Sequence, residues 1–280
     1  MITSIVLGDK HLSVMQLDMK NIVIIAAVIY NRSILDSPLL ALPQSNNRLD
    51  VLICDNSNAA FQEKNESLAN KLKISYLNMH GNKGLSRAYN KITEYTAGKT
   101  AYVCLLDDDT KLPENYADLL LQEIENYPVD ILAPLVFDKK GLLSPFSLGE
   151  RLTKRIDLSY LNEYKNDINK LAAINSGLVI KTSLFEKLQF DEQLFLDCVD
   201  MAFFREARKL NPLPQIHISQ NIVLHQNFAA SEASLENLKT RYAIQKKDIK
   251  IFCGNTVTGR LVSSYLLARR WLGINLRRTN

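Results

Sequence analysis

Glycine and cysteine are scarce in these 280 residues, and tryptophan is nearly absent: 10 Gly, 4 Cys and 1 Trp. The glycines form neither G-x-x-x-x-G-K-[ST] nor G-x-G-x-x-G, which argues against P-loop ATPases and ordinary dinucleotide dehydrogenases. Cys54, Cys104, Cys198 and Cys253 have no C-x-x-C spacing, and two lie in strand-like apolar runs. They read as buried free thiols in a reducing cytosol. No apolar run approaches the roughly 18 residues needed to span a bilayer. The opening MITSIVLGDKHLSVMQLDMK breaks its apolar stretches with Asp, Lys and His, unlike a signal peptide. No internal repeat or low-complexity segment is evident. The net charge of +4 is also absent from most of the chain. Residues 241–280 hold nine Lys/Arg against one Asp, leaving about −4 elsewhere. A uniformly basic nucleic-acid binder is not indicated.

What is present is ordinary globular composition, 46% hydrophobic and 23% charged, enough for one large α/β domain or two modest ones. NIVIIAAVIY (21–30) is a β-branched, nearly continuous apolar run, the pattern of a strand buried on both faces. RLDVLICDNSN, LKISYLNMHGN, TAYVCLLDDD and VDILAPLV repeat it. Helical stretches are expected between them, near 33–42, 59–72, 84–97 and 114–126. The alternation implies βαβ units and a mostly parallel sheet. Residues 138–170 read as an irregular excursion. LVIKTSLFEKL reads as a strand and a short helix capped by Thr182 or Ser183, and an amphipathic helix begins near Asp197. A strand ends at His225, and 232–252 and 257–272 read as helices.

Asp55 and Asp107 each follow such a strand, and ligands of open α/β sheets bind beyond the carboxyl ends of the strands. Asp107, Asp108 and Asp109 stand together with no Lys or Arg beside them until Lys111. Taken alone they are a solvated turn or a divalent-ion site, since Mg²⁺ and Mn²⁺ commonly hold one or two carboxylates plus substrate phosphates. Extended backbone puts Asp107 and Asp109 on one side and Asp108 on the other. HGNKGLSRAYN sets a glycine turn before a helix, with Lys83 and Arg87 nearby, suiting a diphosphate. Asp197 and Asp200 either complement a helix dipole or aim a general base into a cleft. His11, His80 and His217 read as packing or surface residues.

Taken in order, VIYNR, VLICDNSN, NKGLSRAYN, LLDDDTKLPENY and NSGLVIKTSLFEKLQFDEQLFLDCVD resemble the motifs of inverting family 2 glycosyltransferases, particularly the rhamnosyltransferase-like branch. With His225 they run over about residues 21–228. The resemblance implies a GT-A fold, Rossmann-like, with a mostly parallel central sheet flanked by helices. Its catalytic domain would be 1–230 (nucleotide half about 21–135, acceptor half about 136–230), with 231–280 a basic C-terminal helical extension. It implies that Tyr30, Arg32 and Asp55 line the base pocket, and that Asn82, Gly84 and Arg87 border the ribose and diphosphate. Asp107 meets ribose or a metal-bound water, and Asp109, with Asp107 and His225, serves a Mn²⁺ or Mg²⁺ ion. Ser176, Gly177 and Asp197 lie on the acceptor side, and Asp200 is the base. Ile29, Val199 and Ala202 depart from the usual pattern. A nucleotide-sugar donor (dTDP-rhamnose or a UDP-sugar) and a saccharide or lipid-linked acceptor are the implied partners. The arginine-bearing C-terminal segment suits an anionic membrane surface, on the inner face of the cell membrane. A haloacid-dehalogenase-like phosphatase fits poorly, because it wants Thr where Lys111 stands. A nucleotidyltransferase lacks its Gly-rich first loop, and a degenerate scaffold would not need to keep Asp109, Asp200 and His225.

Overall fold

The run Asn21–Ile29 forms β1 at the middle of the sheet, and its side chains alternate between two cores. Ile24 and Ala26 enter one; Val23, Ile25 and Ala27 enter the other. A strand covered on both faces has no polar side to present, which explains the unbroken β-branched run. The structure, a computed structural model, describes residues 21–42, 47–164, 166–226 and 235–276. The opening segment with His11, the start of the helix expected from 232, and the terminal Arg277 and Arg278 lie outside the described residues.

The strands following β1 are β2 (Leu49–Asp55), β3 (Ser75–Asn78), β4 (Thr100–Asp107), β5 (Ile131–Asp138) and β6 (Gly141–Ser144). Then come β7 (Phe146–Leu148), β8 (Thr153–Arg155), β9 (Leu171–Ala172), β10 (Leu178–Lys181) and β11 (Ile216–His225). The main sheet runs β11-β5-β10-β4-β1-β2-β3, with β6 on β5. It is parallel except at β10, which is antiparallel to both neighbours, and at β6. Helices α1 (Ala59–Leu72), α2 (Leu85–Thr96), α3 (Tyr116–Asn126), α4 (Val199–Ala207), α5 (Leu235–Cys253) and α6 (Val257–Leu276) cover it.

Several expectations change. Residues 34–41 form two 3-10 turns instead of a helix, because Ser37 caps one at its end and the other, with Pro38 at its first position, at its start. The stretch expected to be irregular holds β6, β7 and β8, and β7 pairs β8 and β9 in a small second sheet. Strands of three or four residues are too short to show a period. Thr182–Glu186 is a 3-10 turn, and the Thr182 hydroxyl bonds the Thr100 carbonyl instead of capping it. The amphipathic helix starts two residues late, at Val199, after Cys198 takes a left-handed φ of 64°. Ile29, Val199 and Ala202 are all buried, so the departures from the family pattern point into the core. The C-terminal helices join that core as well: Ile249, Phe252, Cys253 and Leu267 pack in the same cluster as β1 and α4.

Candidate active site

Strand ends place Asp55 and Asp107 at one end of the sheet, and the start of α4 brings Asp200 near Asp107. Asp107 closes β4 opposite Val28 of β1, and Asp55 closes β2 opposite Ile29. Gly177 opens β10 with its N–H on the Leu105 carbonyl at 2.7 Å. Its φ of +79° and the Leu224 and Pro134 side chains, 2.5 and 2.9 Å from where a Cβ would sit, leave room only for glycine. Ser176 is thereby fixed beneath Asp107.

The three aspartates have different surroundings. Asp107 Oδ2 accepts from Gln226 Nε2 at 2.6 Å, Gln226 also reaches Ser176 Oγ, and Ser176 Oγ shares a 2.8 Å bond with Thr110 Oγ1. Burial pushes the Asp107 carboxyl up to about 6; the Ser176 bond opposes this, and the charges of Asp109 and Asp108 add to it. Asp108 has the cation that its neighbours in sequence do not supply. Arg32 Nη1 donates to its carbonyl at 3.0 Å and lies 3.4 Å from its carboxylate. Arg32 follows β1, which pairs with β4, so a residue 76 positions away is adjacent in space. Burial raises Asp108 and Asp109 as well, with Arg32 tempering both.

Asp200 stands in the first turn of α4. Burial pushes it up to about 6, the Met201 N–H opposes, and the charge of Asp107 adds to the rise. Tyr89 of α2 lies wholly buried near both carboxylates. Burial and then the charges of Asp107 and Asp200 raise its phenol well above the ordinary range. Asp107 and Asp200 thus form an interacting pair assembled from separate elements.

Other expected site residues are placed differently. Asp55 is fully buried, with Oδ1 on the Ser57 N–H and Oδ2 on Asn65 Nδ2 (2.7 Å) and the Tyr76 hydroxyl (2.8 Å). Its carboxylate faces inward, ties the turn after β2 to α1 and β3, and uses both oxygens doing so. The glycine turn also spends its amides internally. The N–H groups of Lys83, Gly84 and Leu85 go to Asn56 Oδ1, Asn82 Oδ1 and the Phe195 carbonyl. A diphosphate there would meet the side chains of Lys83 and Arg87 and not these three amides. Arg87 is exposed beside Glu192, and Tyr30 is 52% exposed at the rim. His225 is exposed at the end of β11, in an antiparallel bridge with Lys111 just after the aspartates. Asn56, Asn65, Thr110 and Gln226 were not singled out by sequence reasoning. Asn56 follows Asp55, Thr110 follows Asp109 and Gln226 follows His225, so each sat beside a recognised signal, whereas Asn65 lies inside α1 with none next to it.

The donor set is hard oxygen from Asp107 and Asp109, which suits Mg²⁺ or Mn²⁺. Among the described residues no three His, Cys, Asp or Glu side chains form a ready-made cage. An ion shared with a diphosphate needs only one or two such ligands, so this rim fits that mode of binding.

Among solved structures, S. aureus TarS 1-349 matches with a TM-score of 0.51 at 16% identity, over 92% of this chain and 73% of that one. The same protein in complex with UDP-GlcNAc gives 0.51 at 14%, over 89% and 71%. GalNAc-T7 with UDP, GalNAc and Mn²⁺ gives 0.57 at 13%, over 82% of this chain but only 47% of that one. No curated protein matches the chain in a sequence search. Fold and rim together define an α/β protein of the GT-A type. The glycosyl transferase family 2 model matches residues 23–189, more than half of the chain, and the chain belongs to that family. It is a glycosyltransferase.

Asp200→Asn removes a charge that burial disfavours. The folded value of about 6 lies above the ordinary 3.8. The penalty is therefore fully present above about pH 6 and absent below the unfolded value. The variant should be more stable than the parent near pH 8 by on the order of 3 kcal/mol, and equal to it near pH 3. Urea unfolding at the two pH values measures this; equal stability near pH 8 would contradict it.

Proposed function

We propose that the protein is an inverting, metal-dependent transferase that moves a sugar from a nucleotide-sugar donor to a hydroxyl of a saccharide acceptor. The observation carrying this reading is the Asp107–Asp200 pair, both raised to about 6 at the rim shared by β1, β4 and α4. Asp200 takes the proton of the acceptor hydroxyl, whose oxygen attacks the anomeric carbon on the face opposite the leaving group. The bond to the nucleotide diphosphate breaks, its electron pair leaves with the diphosphate, and configuration inverts. Asp109, with Asp107 and His225, would hold Mn²⁺ or Mg²⁺, which supplies charge neutralisation of the departing diphosphate. Tyr30 and Arg32 border the base, and Asn82, Gly84, Lys83 and Arg87 border the ribose and diphosphate. Asp55 supports this wall from behind. Ser176, Gly177 and Asp197 lie towards the acceptor. The similar TarS structures in complex with UDP and with UDP-GlcNAc, and GalNAc-T7 with UDP, GalNAc and Mn²⁺, support a nucleotide-sugar donor. The transferred sugar is rhamnose-like or another hexose, carried on dTDP or UDP, and the acceptor is a cell-surface polysaccharide or a lipid-linked saccharide.

Asp109→Ala and Asp200→Asn should each lower transfer at least about 100-fold with the fold intact. For the parent, kcat/KM should fall with an acid limb near pH 6, because only the ionised base accepts the proton. Transfer assays against a panel of nucleotide sugars, with Mn²⁺ or with chelator, measure this. Full activity of Asp200→Asn would remove the base assignment.

The site would work at a membrane surface on the cytoplasmic side. Among the described residues no helix is long and apolar enough to cross a membrane. Instead α6 exposes Val257, Leu261 and Tyr265 at four-residue spacing, 59% or more of each, with Arg260 and Arg269 also exposed. The protein should float with phosphatidylglycerol vesicles but not with phosphatidylcholine vesicles, and Leu261→Asp should reduce flotation. Equal recovery from both vesicle types would contradict the anionic surface.

A further inference from the structure

The strongest unexplained feature lies in the segment read from sequence as an extension. Asp248 of α5 is completely buried, an unusual place for a carboxylate. Its oxygens accept three consecutive main-chain N–H groups: Phe195 on Oδ1 at 3.0 Å, then Leu196 and Asp197 on Oδ2, both at 2.8 Å. Charge-assisted bonds of this kind are among the strongest a buried loop can receive, and losing the carboxylate strands three donors.

The loop so held touches both halves of the site. The Phe195 carbonyl accepts the Leu85 N–H at 2.6 Å, at the first residue of α2. Gly84 lies so close that a Cβ there would come within 2.8 Å of the Phe195 ring and 2.9 Å of its carbonyl oxygen. In the other direction the loop runs through Cys198 directly into α4, which carries Asp200. Asp197 is held twice, by its N–H on Asp248 and by its carboxylate on Arg241 at 3.0 Å, also from α5. The helix itself is anchored at its far end. Arg205 of α4 bonds the Phe252 carbonyl at 2.7 Å and Arg151 bonds the Cys253 carbonyl at 2.8 Å.

We infer that Asp248 is a positioning residue of the transferase site, setting through the 195–197 loop the relative placement of the Gly84 turn and the Asp200 helix. The inference rests on the transferase reading for its effect on catalysis, and on the hydrogen bonds alone for the coupling. A carboxylate whose two oxygens accept three N–H bonds fits the loop; Asn keeps one acceptor oxygen and brings an N–H₂ against the remaining donors.

The experiment compares the full chain with Asp248→Ala, Asp248→Asn and an exposed neighbour, Lys247→Ala. Amide hydrogen exchange should accelerate at 195–197 and also at Leu85 in both Asp248 variants, with the β2 amides unchanged and Lys247→Ala like the parent. Transfer at a temperature well below unfolding should lose about 100-fold in kcat per folded molecule, since small misplacements of catalytic groups carry such losses. The acid limb of the pH profile should also move, because Asp200 shifts in its surroundings. A role confined to stability would lower the melting temperature and leave kcat and the pH profile unchanged, which overturns the inference. Unchanged exchange at Leu85 overturns it too. If Asp248→Ala does not fold, Asp248→Asn and the exchange pattern of the parent decide, and unprotected 195–197 amides in the parent count against it. If the parent transfers no sugar, the transferase reading fails, and the exchange measurement still decides the coupling.

Discussion

Like charge gathered at the end of an apolar sheet is the constraint on which this structure turns. Asp107, Asp108 and Asp109 leave β4 together, and Asp200 approaches from α4. None of them is fully open to water, so burial raises every one. Arg32 offsets part of the repulsion at Asp108, and Gln226, Ser176 and Thr110 offset part at Asp107. What remains is a rim that favours a cation and holds a proton acceptor poised near neutral pH. Those two properties suit the transfer proposed above, from a nucleotide diphosphate to a hydroxyl.

The rest of the site consists of polar brackets that hold loops still around this rim. Asp55 and Asn65 tie the turn after β1 to α1, since Asn65 also bonds the Arg32 carbonyl and the Ile34 N–H. Asn56 and Asn82 close the turn before α2. Asp248 closes the loop before α4. Apart from the exposed Asn82, each bracket is a buried polar group with its bonds made inside the protein, and each would be costly to leave half-made. The apolar sheet supplies the energy of folding; these groups decide which backbone faces the cleft.

Much of the frame was legible because burial on both faces writes itself as β-branched runs. The strands at 21–29, 49–55 and 100–107 and the helix at 59–72 fall where periodicity puts them. The candidate site was suggested by strand ends and helix starts, where Asp107 and Asp200 occur. Pairings across long separations were not. Arg32 meets Asp108 over 76 positions and Gln226 meets Asp107 over 119, and no local pattern encodes either. The inward turn of Asp55 was hidden for the same reason, since its partners Asn65 and Tyr76 look like ordinary polar residues of a helix and a strand. The C-terminal segment was read by its arginines, whereas it joins the domain through the buried Ile249, Phe252, Cys253 and Leu267 and the bonds of Asp248. The short strands between 141 and 155 lacked the length to show a period.

Carbon-13 NMR titration of the aspartate carboxyls, in the free protein and with Mn²⁺ and UDP, tests the central claim most directly. In the free protein two coupled carboxyls, assigned by Asp107→Asn and Asp200→Asn, should titrate near pH 6. Adding Mn²⁺ with UDP should move the Asp107 transition to lower pH, because a cation beside a carboxylate favours its ionised form. Titration of all aspartates near 4, with no response to the metal and nucleotide, would contradict a carboxylate rim held ready for a cation.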